Sequence, residues 1–333
     1  MDLVTQGLLG ACTASVAGRR LNPRAALAIG FIAGLAADLD ILIASEADPL
    51  LNLEFHRHFT HSLLFVPIAA LILASVIWPL MRHRLRFREV YLLTFFGYLP
   101  SGFLDACTSY GTLFFWPLSD ERISFNIISI VDPLFSGILI IGAITVLWKQ
   151  TRLPAQLALI LAVAYLGFGL LQKHNIEQRA HQLATQRGHT PERLLVKPTL
   201  GNLFLWRSVY RYQDVYHVDA LRYNPLSGRE DLFAGSSATA FDASDNPLQL
   251  PSGSRLLTDI DRFAYFSGEY LALDTDRNDL IVDLRYANLP HQIEPLWGIR
   301  IDPDDPSQHA RFEHFRDRSQ QARQAFLAML FPD

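Results

Sequence analysis

An α-helical polytopic membrane bundle of about five or six transmembrane helices, followed by a small soluble α+β domain, is the fold class this 333-residue chain predicts. Three observations predict it. Apolar runs of roughly membrane-spanning length, about 17 to 25 residues, recur through the first half. Composition changes near residue 172, after which most of the Asp, Glu, Gln and Asn is found. The basic residues of the first half gather in alternate links between the runs. A mean hydropathy of +0.15 therefore averages an apolar half with a polar one, a transmembrane domain over 1–172 and an extracytoplasmic α+β domain over 173–333. A net charge of -4 and a pI near 6.3 argue against a nucleic-acid partner.

The runs fall at 25–45, 61–80, 90–110, 133–148 and 153–172, with a shorter one at 3–17. The opening residues carry no basic region or small-residue cleavage site, so the first helix is expected to stay. The run 90–110 contains Pro100 and Gly102, which kink it or expose backbone carbonyls inside the bundle. Cys12 and Cys107 lie within apolar segments and read as small buried hydrophobes, not as a disulfide or thiolate metal site.

Arginine and lysine set the orientation. Arg19, Arg20 and Arg24, then Arg82, Arg84, Arg86 and Arg88, then Lys149 and Arg152 occupy alternate links, whereas the links between carry Arg57 and Arg122 among several acids. Basic links stay in the cytoplasm, so six spans put both termini outside. The chain is thus expected to cross a membrane several times with its C-terminal domain on the outer side, periplasmic in a Gram-negative cell. Within that domain, 173–187 and 307–330 read as amphipathic helices, and 214–218, 262–266 and 280–286 as strands.

The chemistry concentrates where this topology converges. His56, His58 and His61 are three of eleven histidines, placed where an acidic loop gives way to an apolar run. Imidazole is the commonest protein ligand for transition metals. Asp38 and Asp40 sit in one span and Asp105 in another; at 1.5 Å per residue they reach about 20 Å and about 22 Å from the inner ends of their helices, the depth at which the histidine run begins. Carboxylates inside a membrane are expensive to leave unpaired. Residues i and i+2 diverge on an α-helix, so Asp38 and Asp40 serve one site only if the helix ends or unwinds there. The metal-ligand candidates are Asp38, Asp40, His56, His61 and Asp105. Thr60, Ser101 and Thr108 stand behind them as orienting hydroxyls, with Thr60 or Ser62 also placed to cap the following helix. Arg57 is a candidate for meeting anionic substrate charge or for anchoring a lipid headgroup. The alternative for the acids is an ion pair with Arg57, a helix cap or a proton relay.

The donor set of hard oxygens and imidazoles suits one or two divalent ions: zinc, or else manganese or iron. Such ions activate water for hydrolysis. Asp40, His61, Asp105 and Arg57 are the candidate catalytic residues. No Gly-x-Ser-x-Gly elbow, P-loop or dinucleotide fingerprint occurs.

The pair Asp38-x-Asp40, the run His56-Arg57-x-Phe59-Thr60-His61-Ser62, and the block Leu104-Asp105-Ala106-x-Thr108-x-Tyr110-Gly111-Thr112 followed by Trp116-Pro117-Leu118-Ser119 resemble the YdjM-type family of membrane-bound metal-dependent hydrolases. Met1-Asp2-x-x-Thr5-Gln6-x-x-Leu9-Gly10 and Ile130-Val131-Asp132-Pro133-Leu134 are similar to its longer members, as, more weakly, are Leu194-Leu195-Val196-x-Pro198 and Asp283-Leu284-Arg285-Tyr286. The resemblance implies an inner-membrane hydrolase, with an activity assigned by likeness to zinc-dependent phospholipases. This chain departs from the pattern at His58, where members often have Gly, at Ala37, where they often have Pro, and at Ser101, where they often have His. The last removes one imidazole from the implied ligand set.

The function expected is metal-dependent hydrolysis of a phosphoester or lipid-like substrate at the outer leaflet. A transporter or ion-binding protein using the same Asp/His cluster as a relay is the rival, and a non-catalytic membrane scaffold the third reading.

Overall fold

The computed structural model describes residues 1–331. These pack as two compact units, one made of Met1–Ile43, Phe55–Leu171 and Leu200–Asn202, the other of Ala44–Glu54, Gln172–Thr199 and the remainder from Leu203.

The first unit is helical. Helix α1 (Leu3–Ala17) starts on Asp2, whose carboxylate accepts the Thr5 amide at 3.0 Å. Helix α2 (Pro23–Ala36) starts on Asn22, with proline in the first turn where no amide partner is needed. The two cross at glycines. A Cβ on Gly10 would lie 2.5 Å from the Gly30 carbonyl oxygen, and one on Gly34 2.4 Å from that of Gln6, so the small residues let the backbones touch. At Ala37 α2 tightens into a 3-10 helix, Ala37–Leu42.

Helix α3 (Leu51–Phe55) and a single 3-10 turn, Phe59–His61, precede α4 (Val66–Met81). The segment Leu51–His61 meets α4 at a bend of 88°. The α4 helix has no side-chain cap; Pro67 in its first turn sets its start. The run 90–110 is two helices, α5 (Phe87–Tyr98) and α6 (Pro100–Ala106), divided at Pro100 as its missing amide dictates. Asp132, in the Val131-Asp132-Pro133 block, caps α7 (Pro133–Lys149) by accepting the Leu134 and Phe135 amides at 3.2 and 3.0 Å, and takes the Tyr165 hydroxyl at 2.8 Å.

Helix α8 (Leu153–Gln186) runs unbroken through the boundary between the units. The separate helix expected at 173–187 is thus its continuation, because nothing after Gln172 breaks the pattern and Lys173 and Glu177 pair one turn apart at 3.4 Å. Among the described residues, Pro23–Leu42 and Leu153–Gln186 are long and apolar enough to cross a membrane, and the bent pair Leu51–His61 with Val66–Met81 makes a third if counted as one span; α1 and α7 are apolar but shorter.

The second unit carries two antiparallel four-stranded sheets in sequential order. One comprises β1 (Arg193–Pro198), β2 (Leu205–Tyr212), β3 (Val215–Asn224) and β4 (Arg229–Thr239). Helix α9 (Arg255–Ser267) follows, then the second sheet, β5 (Leu271–Leu273), β6 (Leu280–Asp283), β7 (Trp297–Arg300) and β8 (Arg311–His314), and finally α10 (Gln320–Leu330). Val209, Tyr216, Val218, Leu280, Val282 and Leu284 share one core.

Two expectations are corrected here. Residues 262–266 are helical, within α9: Ser254 accepts the Leu257 amide, and Leu256, Ile260, Phe263 and Ala264 repeat at helical spacing, which outweighs the short alternation inside it. The stretch 307–330 is not one helix. It gives β8 an edge position first and turns helical only after Ser319, whose hydroxyl caps α10. Arg207 ties the unit together from within, its guanidinium donating to the carbonyls of Leu284, Pro290 and Gln292 at 2.7–3.1 Å.

Candidate metal centre

The three stretches singled out in the sequence meet inside the first unit. The tightening of α2 at Ala37 brings Asp38 and Asp40 round to the same imidazole: Asp38 Oδ1 lies 3.3 Å from His61 Nε2, and Asp40 Oδ2 lies 3.3 Å from His61 Nδ1. Asp105, on the last turn of α6, places Oδ2 2.8 Å from His61 Nε2. The helix end required of the Asp-x-Asp pair is therefore present.

Local backbone chemistry holds this arrangement. Gly102 lets α6 lie directly on the His61 carbonyl oxygen, where an added Cβ would sit only 2.1 Å away. Arg57 adopts a positive φ of 60°, a conformation disfavoured for a side-chain-bearing residue; it turns the Arg57 amide toward Asp40 Oδ2, which accepts it at 2.9 Å. The same oxygen accepts the Thr60 hydroxyl at 2.5 Å, and Oδ1 meets His56 Nδ1 at 2.8 Å. Asp40 is held by the Arg57 amide, the Thr60 hydroxyl and His56, and through it and the Thr60 oxygen, 3.0 Å from His61 Nδ1, the ring of His61 is fixed in orientation.

Asp105 is the other charged hub. Its Oδ2 accepts Gln6 Nε2 at 2.7 Å, and its Oδ1 faces Arg57 Nη2 at 3.2 Å and the Met1 amino group. Arg57 is buried. Its Nη1 donates to Thr108 Oγ1 at 3.0 Å, and the guanidinium lies 4.9 Å from the Tyr110 ring centroid. Thr108 in turn donates to the Asp105 carbonyl at 2.8 Å.

Two groups of donor atoms fall within 4.8 Å of one another, Asp38 with His61 and Asp105, and Asp38 with Asp40 and His56. Asp38 belongs to both. Two of these atoms lack what burial demands. Asp38 Oδ1 and His61 Nε2 are inaccessible to solvent yet make no hydrogen bond, the 2.8 Å approach of His61 to Asp105 being out of line for one. Buried polar groups without partners are rare and call for an explanation, and a divalent cation among oxygen and imidazole donors supplies one. The residues present fit such an ion.

His58 turns away into an aromatic cluster, 5.4 Å from Phe55 and 5.5 Å from Trp116 between ring centroids. The Ser101 hydroxyl donates to the Gly34 carbonyl at 3.4 Å, so it braces α6 against α2. Ser62 accepts the Phe65 amide, one residue ahead of α4, and Thr60 serves Asp40 instead of a helix end. Gln6, noted only within the opening motif, and Tyr98, which donates to the Thr60 carbonyl at 2.6 Å, were not among the candidate site residues. For Gln6 the signal was available, an amide near the start of an apolar helix.

Apolar helices broken where acids and imidazoles converge define a membrane protein with Asp/His groups able to hold a metal ion. The chain belongs to the family described as YdjM inner membrane protein, whose model matches residues 1–176 and so spans every residue of this site. Nothing matches among the curated proteins or the solved structures.

Proposed function

We propose that this protein is a metal-dependent hydrolase of the bacterial inner membrane, acting on a phosphoester or other lipid-like substrate at the outer leaflet. The observation that carries the reading is the pair of buried, unbonded donors, Asp38 Oδ1 and His61 Nε2, facing each other 3.3 Å apart beside Asp105. Asp38, His61 and Asp105 would hold one ion; Asp40 and His56 would complete a second position sharing Asp38. When bound, a divalent ion supplies Lewis acidity and an activated water at neutral pH.

The chain's own residues support that chemistry. Arg57 and Gln6 hold the carboxylate of Asp105 in place, and Asp40 with Thr60 holds the imidazole of His61. His56, whose side chain keeps 17% of its exposure, is the imidazole of the cluster that solvent reaches, and its Nδ1 contact to Asp40 suits it to take up or deliver a proton. Arg57, spent on Asp105 and Thr108, acts within the site and leaves substrate charge to other groups. The topology that goes with this reading has five or six spans, basic links inside, the transmembrane domain 1–172, and 173–333 on the periplasmic side.

The test is elemental analysis of the protein purified in detergent, with a phosphodiester hydrolysis assay. Stoichiometric zinc, manganese or iron that is lost with activity in His61→Ala supports the reading, and metal-free, inactive wild-type protein defeats it. A second reading, a proton or ion relay, is favoured by the close succession Asp105, His61, Asp40, His56 at 2.8–3.3 Å. It predicts proton-coupled flux in vesicles from metal-free protein.

A further inference from the structure

Between Asp40 and His56, residues that meet at 2.8 Å, the chain makes an excursion: Ala44–Glu54 belongs to the second compact unit. What anchors it there is specific. Leu50 is buried to 1% exposure, and the guanidinium of Arg262, on α9, is taken up along its whole edge. Nη1 and Nη2 donate to Asp48 Oδ1 and Oδ2 at 3.0 Å each, Nε donates to Glu54 Oε2 at 2.9 Å, and Nη1 also reaches Asp259 Oδ1 at 3.1 Å. Asp259 is itself fixed, its other oxygen accepting the Ala310 amide at 3.0 Å and meeting His309 Nδ1 at 2.8 Å. The donor atoms of Asp48, Asp259 and His309 are close enough to hold an ion, but the arginine already supplies the charge these acids need.

We propose that Arg262 is a positioning residue for the acid–imidazole site, a clasp that fixes the loop joining its two halves. A flexible loop lets Asp40 and His56 drift, and holding its two ends together has an entropic cost that a free loop must meet by itself. Bidentate arginine–carboxylate contacts are directional as well as charged. Fastening Asp48 and Glu54 to one guanidinium restrains the loop eight residues after Asp40 and two before His56, and so favours the unusual Arg57 conformation that points its amide at Asp40. The part of this inference that concerns metal rests on the hydrolase reading; the part that concerns the loop does not.

Hydrogen exchange on the full chain in detergent separates the two. In Arg262→Ala, amides in the peptides covering 44–54 and 55–61, including that of Arg57, are expected to exchange about tenfold faster or more, while strands β1–β4 keep their protection. Arg262→Lys, which keeps the charge without the fork, should recover part of it. Zinc affinity should fall by about tenfold in parallel, as for loss of a residue that orients ligands. Wild-type exchange at 55–61 alongside a loosened 44–54 overturns the proposal. Should Arg262→Ala unfold α9, the pair Asp48→Asn and Glu54→Gln leaves Arg262 on Asp259 and gives the same readout. Wild-type protein that binds no zinc ends the metal reading, and the exchange result then judges the clasp by itself.

Discussion

Replacing Gly102 with alanine tests the geometry of the centre without touching any of its polar atoms. The new Cβ would lie 2.1 Å from the His61 carbonyl oxygen and 3.1 Å from the carbonyl carbon. A carbon next to a carbonyl oxygen settles at about 3.3 Å, so α6 and the His61 backbone must separate by about 1.2 Å. Asp105 rides on the same short helix three residues on, and its contact to His61 is 2.8 Å. Coordination distances tolerate only about 0.2 Å. The displacement is thus several times what an ion shared by Asp105 and His61 can absorb, and metal affinity should drop at least tenfold, about 1.4 kcal/mol. Overpacking should also destabilise the fold by about 1–3 kcal/mol. The assay is zinc competition against a chromogenic chelator, run beside thermal unfolding in the same detergent. Gly137→Ala is the control, since a Cβ there meets nothing within 4 Å and alanine is the better helix former. A Gly102→Ala protein that binds zinc with wild-type affinity would refute the inference that Asp105 and His61 hold one ion.

Three further outcomes follow from the same structure. Thr60→Val removes the hydroxyl that Asp40 accepts and that faces His61 Nδ1; zinc affinity should weaken about 10–100-fold, and unchanged affinity would show that the ring orientation does not matter. Asp38→Asn strikes the residue common to both donor groups, so any bound metal should be lost entirely, whereas His56→Ala should spare the first ion; elemental analysis of both variants decides. In the second unit, burial pushes the Lys197 amine well below its ordinary range, with Arg207 and Arg285 adding to the effect, although the Tyr286 ring lies 3.3 Å from the nitrogen. The unfolded chain then binds more protons than the folded one between the lowered value and the ordinary value of about 10.4, and stability rises with pH across that window. Lys197→Met should stabilise the domain by about 1–4 kcal/mol near neutrality, a gain that shrinks toward pH 10 when followed by tryptophan fluorescence.

The clasp has its own pH signature. Burial pushes the Asp48 carboxyl up, but its bonds to Arg262 and the Leu50 amide outweigh this and hold it below the usual carboxylate range. A lowered carboxylate contributes stability that is present above about pH 4 and lost as pH falls through the folded value. An acid protease should therefore cut within 44–54 faster at pH 3 than at pH 5 in the wild type, and at similar rates in Arg262→Ala.

Much of the site was legible in the chain. Asp38, Asp40, His61 and Asp105 stood out because charge is expensive in apolar runs, and the requirement that α2 end at the Asp-x-Asp pair followed from helical period alone. The boundaries of α1 and α7 were readable for the same reason, since apolar length and flanking Asp or Pro are local signals. Local patterning misled where two periods fit one short stretch. Arg262 lay in an apparent strand because Phe263 and Tyr265 alternate with smaller neighbours, while the cap at Ser254 and the burial of Ile260 made a helix of it.

Sequence by itself singled out the candidate acids and imidazoles and their apolar surroundings, because composition and spacing are properties of the chain. Tertiary structure alone decided what each one touches. Arg57 turns its guanidinium to Asp105 and, through a left-handed backbone, its amide to Asp40, Ser101 bonds the Gly34 carbonyl, and His58 meets Trp116 edge to face. These outcomes depend on contacts between residues dozens of positions apart, and the packing of whole helices selects among partners that local sequence leaves equally available.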